Sequence, residues 1–266
     1  MSKKRRDIPK YELPIIETHF HLDYLKAAPA ADILQAARDI GVERFMTIAV
    51  TPDNMPAVLT LTREHNDVFG TLGVHPHDAS EFQDSTDAFI REHICGEKIV
   101  AVGEIGLDYY YDHSDRQVQR DVFARQLQIA VDTGMPVVIH TREADEDTMA
   151  ILREYAPQMA RKGVVHSFTS GPELAALAVE LGFCLGINGI VTFNKADNVR
   201  AIVAQTPLDN LLLETDAPYL TPVPFRGVEN APVYLPFIAE TIAQVKGIST
   251  EDVLRQTYRN ALQAFF

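Results

Sequence analysis

Residues 15–23 read IIETHFHLD, an apolar run that closes on two histidines one residue apart. In an extended strand successive side chains alternate faces, so Glu17, His19 and His21 share one side while Thr18 and Phe20 take the other. Imidazole nitrogens are the commonest protein ligands for transition metals, and a rigid strand presents such a pair already spaced. A lone His-x-His is equally well read as two ordinary histidines at a strand end, so the surrounding pattern has to decide.

Outward from this run the chain repeats one rhythm. Further apolar strand segments occur at residues 44–50 (RFMTIAV), 68–76 (VFGTLGVHP), 99–108 (IVAVGEIGLD), 136–143 (PVVIHTRE), 163–168 (GVVHSF), 183–190 (FCLGINGI) and 211–218 (LLLETDAP). Between them lie stretches with helical spacing, near residues 30–39, 56–65, 86–93, 115–133, 145–155, 173–181 and 198–205, and helical sequence continues to the C-terminus. In the longest, Val118, Val122, Phe123, Leu127 and Val131 recur at helix period. Near-continuous apolar strands separated by amphipathic helices describe a parallel sheet covered by helices. Eight such units predict a closed (β/α)8 TIM barrel rather than an open doubly wound sheet. No glycine-rich phosphate loop follows the first strand, which counts against a dinucleotide-binding fold.

A chain of 266 residues is long enough for one large core, and no linker-like composition interrupts it, so residues 1–266 are expected to form a single barrel domain. No apolar run approaches the roughly 20 residues that span a bilayer, and no membrane association is expected. The opening MSKKRR is basic but is not followed by the apolar stretch of a secretory signal, so residues 1–11 are expected to be a flexible basic tail. Only Cys95 and Cys184 are present, far apart in sequence, which fits reduced thiols and a cytoplasmic location. The formal charge of −13 excludes a broad basic face that would coat nucleic acid. A metal centre would supply positive charge locally.

Barrel active sites are built where strands finish. His19 and His21 close the first strand, Glu104 lies in GEIGLDYY on the fourth, His140 in VIHTRE on the fifth, His166 in VVHSF on the sixth and Asp216 in LETDAP on the eighth. Taken singly, each has an ordinary explanation: a satisfied core histidine, a carboxylate paired with arginine, a turn cap. Together they would gather imidazoles and carboxylates in one cavity at a cost that a bound cation removes. All six are therefore candidate metal ligands.

The motifs ETHFHLD, GVHPHD, GEIGLDYYY, VIHTRE, HSFTSG, GIVTF, LLLETDAPYLTPVPFRGVEN and the late TYRNALQAFF, in this order and spacing, resemble the TatD family of metal-dependent hydrolases and deoxyribonucleases. The resemblance implies a two-metal hydrolase acting on phosphodiester bonds of DNA. It implies that His19, His21, Glu104 and Asp216 hold one divalent ion (Zn²⁺, Mn²⁺ or Mg²⁺) and Glu104, His140 and His166 the other, with Glu104 shared. It also suggests 3′ to 5′ polarity. Three positions depart from the family pattern: Glu17 stands where Asp is usual, Ser167 where Cys is common and Val228 where Lys is frequent. Glu17 is expected to orient an imidazole as an outer acceptor, and Glu214 to do the same beneath Asp216.

Asp216, a ligand that can also accept a proton, is the expected general base, with Glu104 catalytic through the shared metal position. Arg226 in PVPFRGVEN is expected to grip a phosphate. His75 and His77 in GVHPHD are expected to touch substrate or to support the ligands, and Arg142 to face the site or neutralise a carboxylate. Tyr109, Tyr110 and Tyr111 are as well explained by packing beneath a loop as by stacking on a base. The acidic surface favours DNA ends or short single strands as substrate, and no protein partner is evident. Two other readings stay open: a hydrolase of a small-molecule amide, lactone or phosphoester, and a silent barrel that binds a partner. The second predicts a degraded ligand position, and none is seen.

Overall fold

The computed structural model describes residues 6–96 and 98–266. Strand β1 (Ile15–Phe20) is followed by α1 (Ala30–Arg38), β2 (Val42–Thr47), α2 (Met55–Glu64), β3 (Val68–Leu72), α3 (Asp84–His93), β4 (Ile99–Asp108) and α4 (Arg116–Thr133). Then come β5 (Val137–Arg142), α5 (Asp145–Tyr155), β6 (Gly163–Val165), α6 (Pro172–Glu180), β7 (Cys184–Ile187), α7 (Asp197–Gln205) and β8 (Leu211–Leu213). Two helices, α8 (Leu235–Lys246) and α9 (Thr250–Phe265), end the chain. The strands form one sheet in chain order, β1 to β8. The last strand returns to the first: the Thr18 hydroxyl donates to the Leu213 carbonyl (2.9 Å), and Phe20 and Ala217 form a parallel bridge. This is the (β/α)8 barrel that the strand rhythm predicts. None of the described helices is long and apolar enough to cross a membrane.

Chain contacts group into two compact units, one of Met1–Met46 with Gly186–Gln263 and one of Thr47–Leu185 with Ala264–Phe266. In the second unit every residue of β4 is buried, because a central parallel strand has the barrel interior on one face and helices on the other. The covering helix α4 starts at Asp115, whose carboxylate accepts from the Gln117 and Val118 amides (2.8 and 3.3 Å), and stops at left-handed Gly134 (φ 69°). Its inner face buries Val122, Phe123, Leu127 and Ala130, and a fully buried phenylalanine alone contributes about 1.5–3 kcal/mol. Two glutamines interrupt this stripe for a reason local pattern does not show. Gln126 both accepts from the Val74 amide (2.7 Å) and donates to its carbonyl (3.0 Å). Gln119 does the same for Asp108 (2.8 and 3.1 Å). Each thereby satisfies backbone at the end of a strand, where His75 and Asp108 leave the sheet.

The β4–β5 register runs Gly103↔Val138 and then Ile105↔Ile139, so Glu104 is the extra residue of a β-bulge. A bulge re-aims a side chain and is frequent beside active sites. Two residues on, Gly106 has φ +140°, and a Cβ there would lie 1.9 Å from the His140 carbonyl oxygen, so only glycine lets β4 lie this close to β5.

In the first unit the β1–β8 seam continues past the ladder, with the Asp216 amide donating to the His19 carbonyl and the His21 amide to the Ala217 carbonyl (2.8 Å each). Asn260 of α9 closes the base of β8, donating to the Leu208 and Leu211 carbonyls (2.8 Å each).

Several expectations need correction. Strands β6 and β8 end at Val165 and Leu213, short of the apolar runs that suggested them, because the backbone turns left-handed at Ser167 (φ 47°) and Asp216 (φ 59°) and leaves the ladder. Glu104 lies mid-strand, and the carboxylate that ends β4 is Asp108. The flexible tail expected over residues 1–11 does not extend to Arg6: Arg6 forms an ion pair with Glu240 and lies 4.9 Å from the Phe237 ring, and Tyr11 donates to Glu240 (3.2 Å). Residues 1–5 of that tail lie outside the described residues.

Candidate metal centre

The second unit gathers three imidazoles on one carboxylate oxygen. Glu104 Oε1 lies 2.7 Å from His166 Nε2, 3.1 Å from His140 Nδ1 and 3.4 Å from His75 Nε2. Glu104, His75 and His166 are buried. Burial works to raise the Glu104 carboxyl, but the surrounding imidazoles, His166 and His75 foremost, outweigh it and hold the group well below the usual carboxylate range.

A second carboxylate orients the set. Asp108 Oδ2 accepts from His140 Nε2 (3.1 Å) and His77 Nε2 (3.0 Å), while its Oδ1 accepts from the Tyr110 and Tyr111 amides (3.0 and 2.9 Å). These bonds overcome the effect of burial and keep Asp108 ionised far below the ordinary range. Burial works to lower the His140 pKa, but the bonds to Asp108 and Glu104 outweigh it and raise it. With Nε2 donating to Asp108, Nδ1 is the nitrogen turned toward Glu104, and in the neutral ring it carries the lone pair. Two acceptors 3.1 Å apart are held together by a proton or a cation between them. A buried set of imidazole nitrogens around a carboxylate oxygen is the donor chemistry of Zn²⁺, Mn²⁺ and similar ions, and His75, Glu104 and His140 offer ligand atoms within 4.8 Å of one another. The residues present therefore fit a divalent metal.

His75 plays a different part from His140. Its Nδ1 accepts from the His77 amide (3.2 Å), so the neutral ring carries its proton on Nε2, which faces Glu104 Oε1 at 3.4 Å. Burial, with His140 beside it, keeps His75 from protonating near neutral pH. Of the two roles left open for His75, support of a ligand matches its place against Glu104. His77 is committed to Asp108 and stacks on His113 (centroids 4.6 Å apart).

The first unit holds the other candidate donors. His19 stands in β1, His21 just beyond it, and their rings meet edge to face at 5.2 Å. Asp216 Oδ1 faces His21 Nε2 at 3.6 Å and His19 Nε2 at 3.9 Å, both longer than a hydrogen bond. The left-handed backbone at Asp216, a conformation that costs a non-glycine residue about 1 kcal/mol, is held by the His19 carbonyl on one side and by the Tyr219 amide on the other (2.8 and 2.9 Å).

Glu17 does not orient an imidazole as expected. Its Oε1 accepts from the His19 and Thr215 amides (3.1 and 2.9 Å) and its Oε2 from the Thr215 hydroxyl (2.6 Å), tying β1 to the residue before Asp216. Burial pushes this carboxyl up to about 8 against those bonds. Glu214 is fully buried and packs against Gly186, where a Cβ would lie 2.2 Å from its Oε2.

Two supporting residues escape sequence reasoning. Asp108 is visible in GEIGLDYY, but nothing local says that it meets a histidine 32 positions away. Asn230, in the GVEN segment, donates through Nδ2 to the Thr215 and Tyr219 carbonyls (2.9 and 2.5 Å) and so clamps the loop that presents Asp216. Arg226 is exposed; its Nη1 donates to the Thr221 carbonyl (2.9 Å) and its guanidinium lies 4.0 Å from the Phe193 ring centroid. Among the described residues no carboxylate pairs with Arg142, whose guanidinium lies over the Tyr110 and Tyr111 rings (3.9 and 4.9 Å to the centroids). Packing beneath a loop does not describe those two tyrosines, which are 52% and 51% exposed. Tyr109 differs, donating to Asp147 (2.5 Å) and accepting from Arg120 (3.0 Å).

Comparison with known proteins places the chain in a family. The family model for TatD related DNases matches residues 16–266. The metal-dependent hydrolase YabD of Bacillus subtilis is 34% identical over 252 residues, 94% of this chain and 98% of the relative. A protein of Erwinia tasmaniensis named 3′-5′ ssDNA/RNA exonuclease TatD is 35% identical over 240 residues, 88% of this chain and 92% of the relative. Among solved structures, the TatD homologue YJJV of Escherichia coli K12 superposes with a TM-score of 0.88 at 28% identity, covering 94% of this chain and 97% of the other. With the family model spanning nearly the whole chain and the barrel carrying histidines and carboxylates where its strands end, the chain belongs to the TatD family of metal-dependent hydrolases.

Proposed function

We propose that this hydrolase cleaves phosphodiester bonds of DNA, trimming single strands from the 3′ end, and that residues 1–266 act as one catalytic domain. The observation that carries the hydrolytic centre is Glu104 Oε1 ringed by His75, His140 and His166, with Asp108 behind His140. The nucleic-acid substrate is supported by the likeness to the Erwinia relative, which is named a 3′-5′ ssDNA/RNA exonuclease. A cytoplasmic site of action is supported by Cys95 and Cys184, both free thiols.

His19, His21 and Asp216 would hold one divalent ion and His140 and His166 a second, and Glu104 would be a ligand to both. When bound, such ions supply Lewis acidity toward a phosphoryl oxygen and make water a competent nucleophile near neutral pH. The chain's own residues do the rest. Asp216 takes the proton from the attacking water, which its carboxylate does best when Asn230 and the His19 carbonyl hold its loop still. Asp108 keeps His140 in the tautomer that presents Nδ1, and His75 turns its Nε2 proton toward Glu104. Arg226, with Nη1 engaged on Thr221, offers the remainder of its fork to a phosphate.

The test is metal content of the purified protein together with cleavage of 3′- and 5′-end-labelled single strands, linear against circular, by wild type and Asp216→Asn. Stepwise loss from the 3′ label, sparing circles, is expected, with turnover lost but binding kept in Asp216→Asn. Equal cutting of circles refutes the exonuclease assignment. Absence of cutting of DNA and RNA under Zn²⁺, Mn²⁺ and Mg²⁺ refutes the nuclease assignment in favour of a small-molecule hydrolase.

A further inference from the structure

Beside the Glu104 group, the turn after β4 exposes two aromatic rings that the hydrolytic chemistry does not use. Tyr110 and Tyr111 meet edge to face (centroids 4.8 Å apart, 89°) and are each about half exposed. Single exposed apolar side chains are ordinary, but adjoining aromatic rings rimmed by polar groups are the kind of surface that marks an interaction site. These two are also held from several sides. Both backbone amides donate to Asp108 Oδ1, and the Arg142 guanidinium lies over both rings. Tyr111 further abuts His77 and His113, with centroids at 5.3 and 5.6 Å. The carboxylate that fixes the turn is the one that orients His140, so the exposed rings are braced on the same support as the candidate metal ligand.

We infer that the exposed Tyr110–Tyr111 pair is a platform that receives an unpaired nucleobase of the strand being cleaved, one ring offering its face and the other its edge. This inference rests on the nuclease reading above and deepens it by naming how the substrate is held. Charge favours this ligand. At a formal charge of −13 the chain cannot rely on general attraction for phosphates, so a strand must be retained through contacts that do not depend on charge. Base stacking on tyrosine is such a contact, and it tolerates every base because each has a π-face. The platform also ignores the 2′-hydroxyl, so DNA and RNA single strands are held alike, whereas paired bases in a duplex are hidden from it. Arg142, lying over both rings, brings positive charge to this platform.

The experiment measures binding separately from cleavage. A fluorescein-labelled phosphorothioate oligothymidylate, which resists hydrolysis, is titrated with metal-loaded protein, and the same strand is prepared with a single abasic residue walked along it. For wild type, one abasic position is expected to weaken binding roughly tenfold. The Tyr110→Ala/Tyr111→Ala variant is expected to bind the intact strand about tenfold more weakly and to lose its sensitivity to that abasic position, and Tyr110→Phe/Tyr111→Phe to bind as wild type because the rings remain. Because both side chains are exposed, the alanine variant keeps its fold, checked by its melting temperature. Unchanged binding by the alanine variant, or an abasic penalty equal in variant and wild type, overturns the platform. A wild type that cuts unmodified strands while the tyrosines prove irrelevant leaves the nuclease reading standing and removes the platform. Tyrosine-dependent binding without cleavage does the reverse, and a protein that binds no strand refutes both.

Discussion

Asp108→Asn isolates the effect of one hydrogen-bond acceptor on metal affinity. In the native site Oδ1 accepts two backbone amides and Oδ2 accepts His77 and His140. An asparagine keeps one acceptor oxygen. If that oxygen stays with the Tyr110 and Tyr111 amides, the new NH₂ faces His140 Nε2, which must then become the lone-pair nitrogen. The ring proton moves to Nδ1, 3.1 Å from Glu104 Oε1, and a nitrogen that carries a proton cannot ligate a metal. The backbone bonds survive, so the fold is expected to lose only about 1 kcal/mol. Metal affinity is expected to fall by roughly 10- to 100-fold, or about 1.4–2.7 kcal/mol, the range seen when an outer carboxylate behind a ligating histidine is removed. Competition for Zn²⁺ or Mn²⁺ against a chromogenic chelator measures the affinity, and a thermal melt of the metal-free proteins measures the fold. Affinity indistinguishable from wild type in a folded variant would refute the proposed His140 tautomer and with it the role of Asp108.

Other outcomes follow from the same structure. Glu104→Ala is expected to weaken both metal equivalents, read by elemental analysis after dialysis; loss of one with retention of the other contradicts a shared ligand. Arg226→Ala is expected to raise KM more than it lowers kcat on single-stranded DNA, because a phosphate grip acts in ground and transition states alike; the opposite split removes Arg226 from substrate binding. Gly106→Ala places a methyl group 1.9 Å from the His140 carbonyl oxygen at φ +140°, and is expected to destabilise the protein by at least about 3 kcal/mol in urea unfolding; an unchanged midpoint contradicts the β4–β5 approach. Burial pushes the Cys184 thiol up to about 11 while Cys95 is exposed, so at pH 8, below that value, native protein should react with a disulfide reagent at Cys95 alone and unfolded protein at both. Rapid reaction of both thiols in the native state would refute this.

The alternation of strands and helices is legible in the linear sequence, and the six candidate donors stand out there, because both are local patterns. A parallel strand buried on both faces shows as a continuous apolar run, an outer helix as a stripe at helix period, and a ligand as a polar residue where an apolar run stops. IIETHFHLD, VIHTRE and LETDAP carry that information in themselves. What Asp108, His75 and Glu17 do is not local. Each acts through a contact with a group remote in sequence: Asp108 with His140, His75 with Glu104, Glu17 with Thr215. The aim of Glu104 depends on a one-residue bulge that exists only because β4 is registered against β5. The half exposure of Tyr110 and Tyr111 depends on where Asp108 pins their amides. Composition and spacing determine which residues have the right chemistry to bind a metal. Only chain closure determines which nitrogen of each imidazole is turned toward the carboxylate, because that choice is made by a hydrogen-bond partner brought in from another strand.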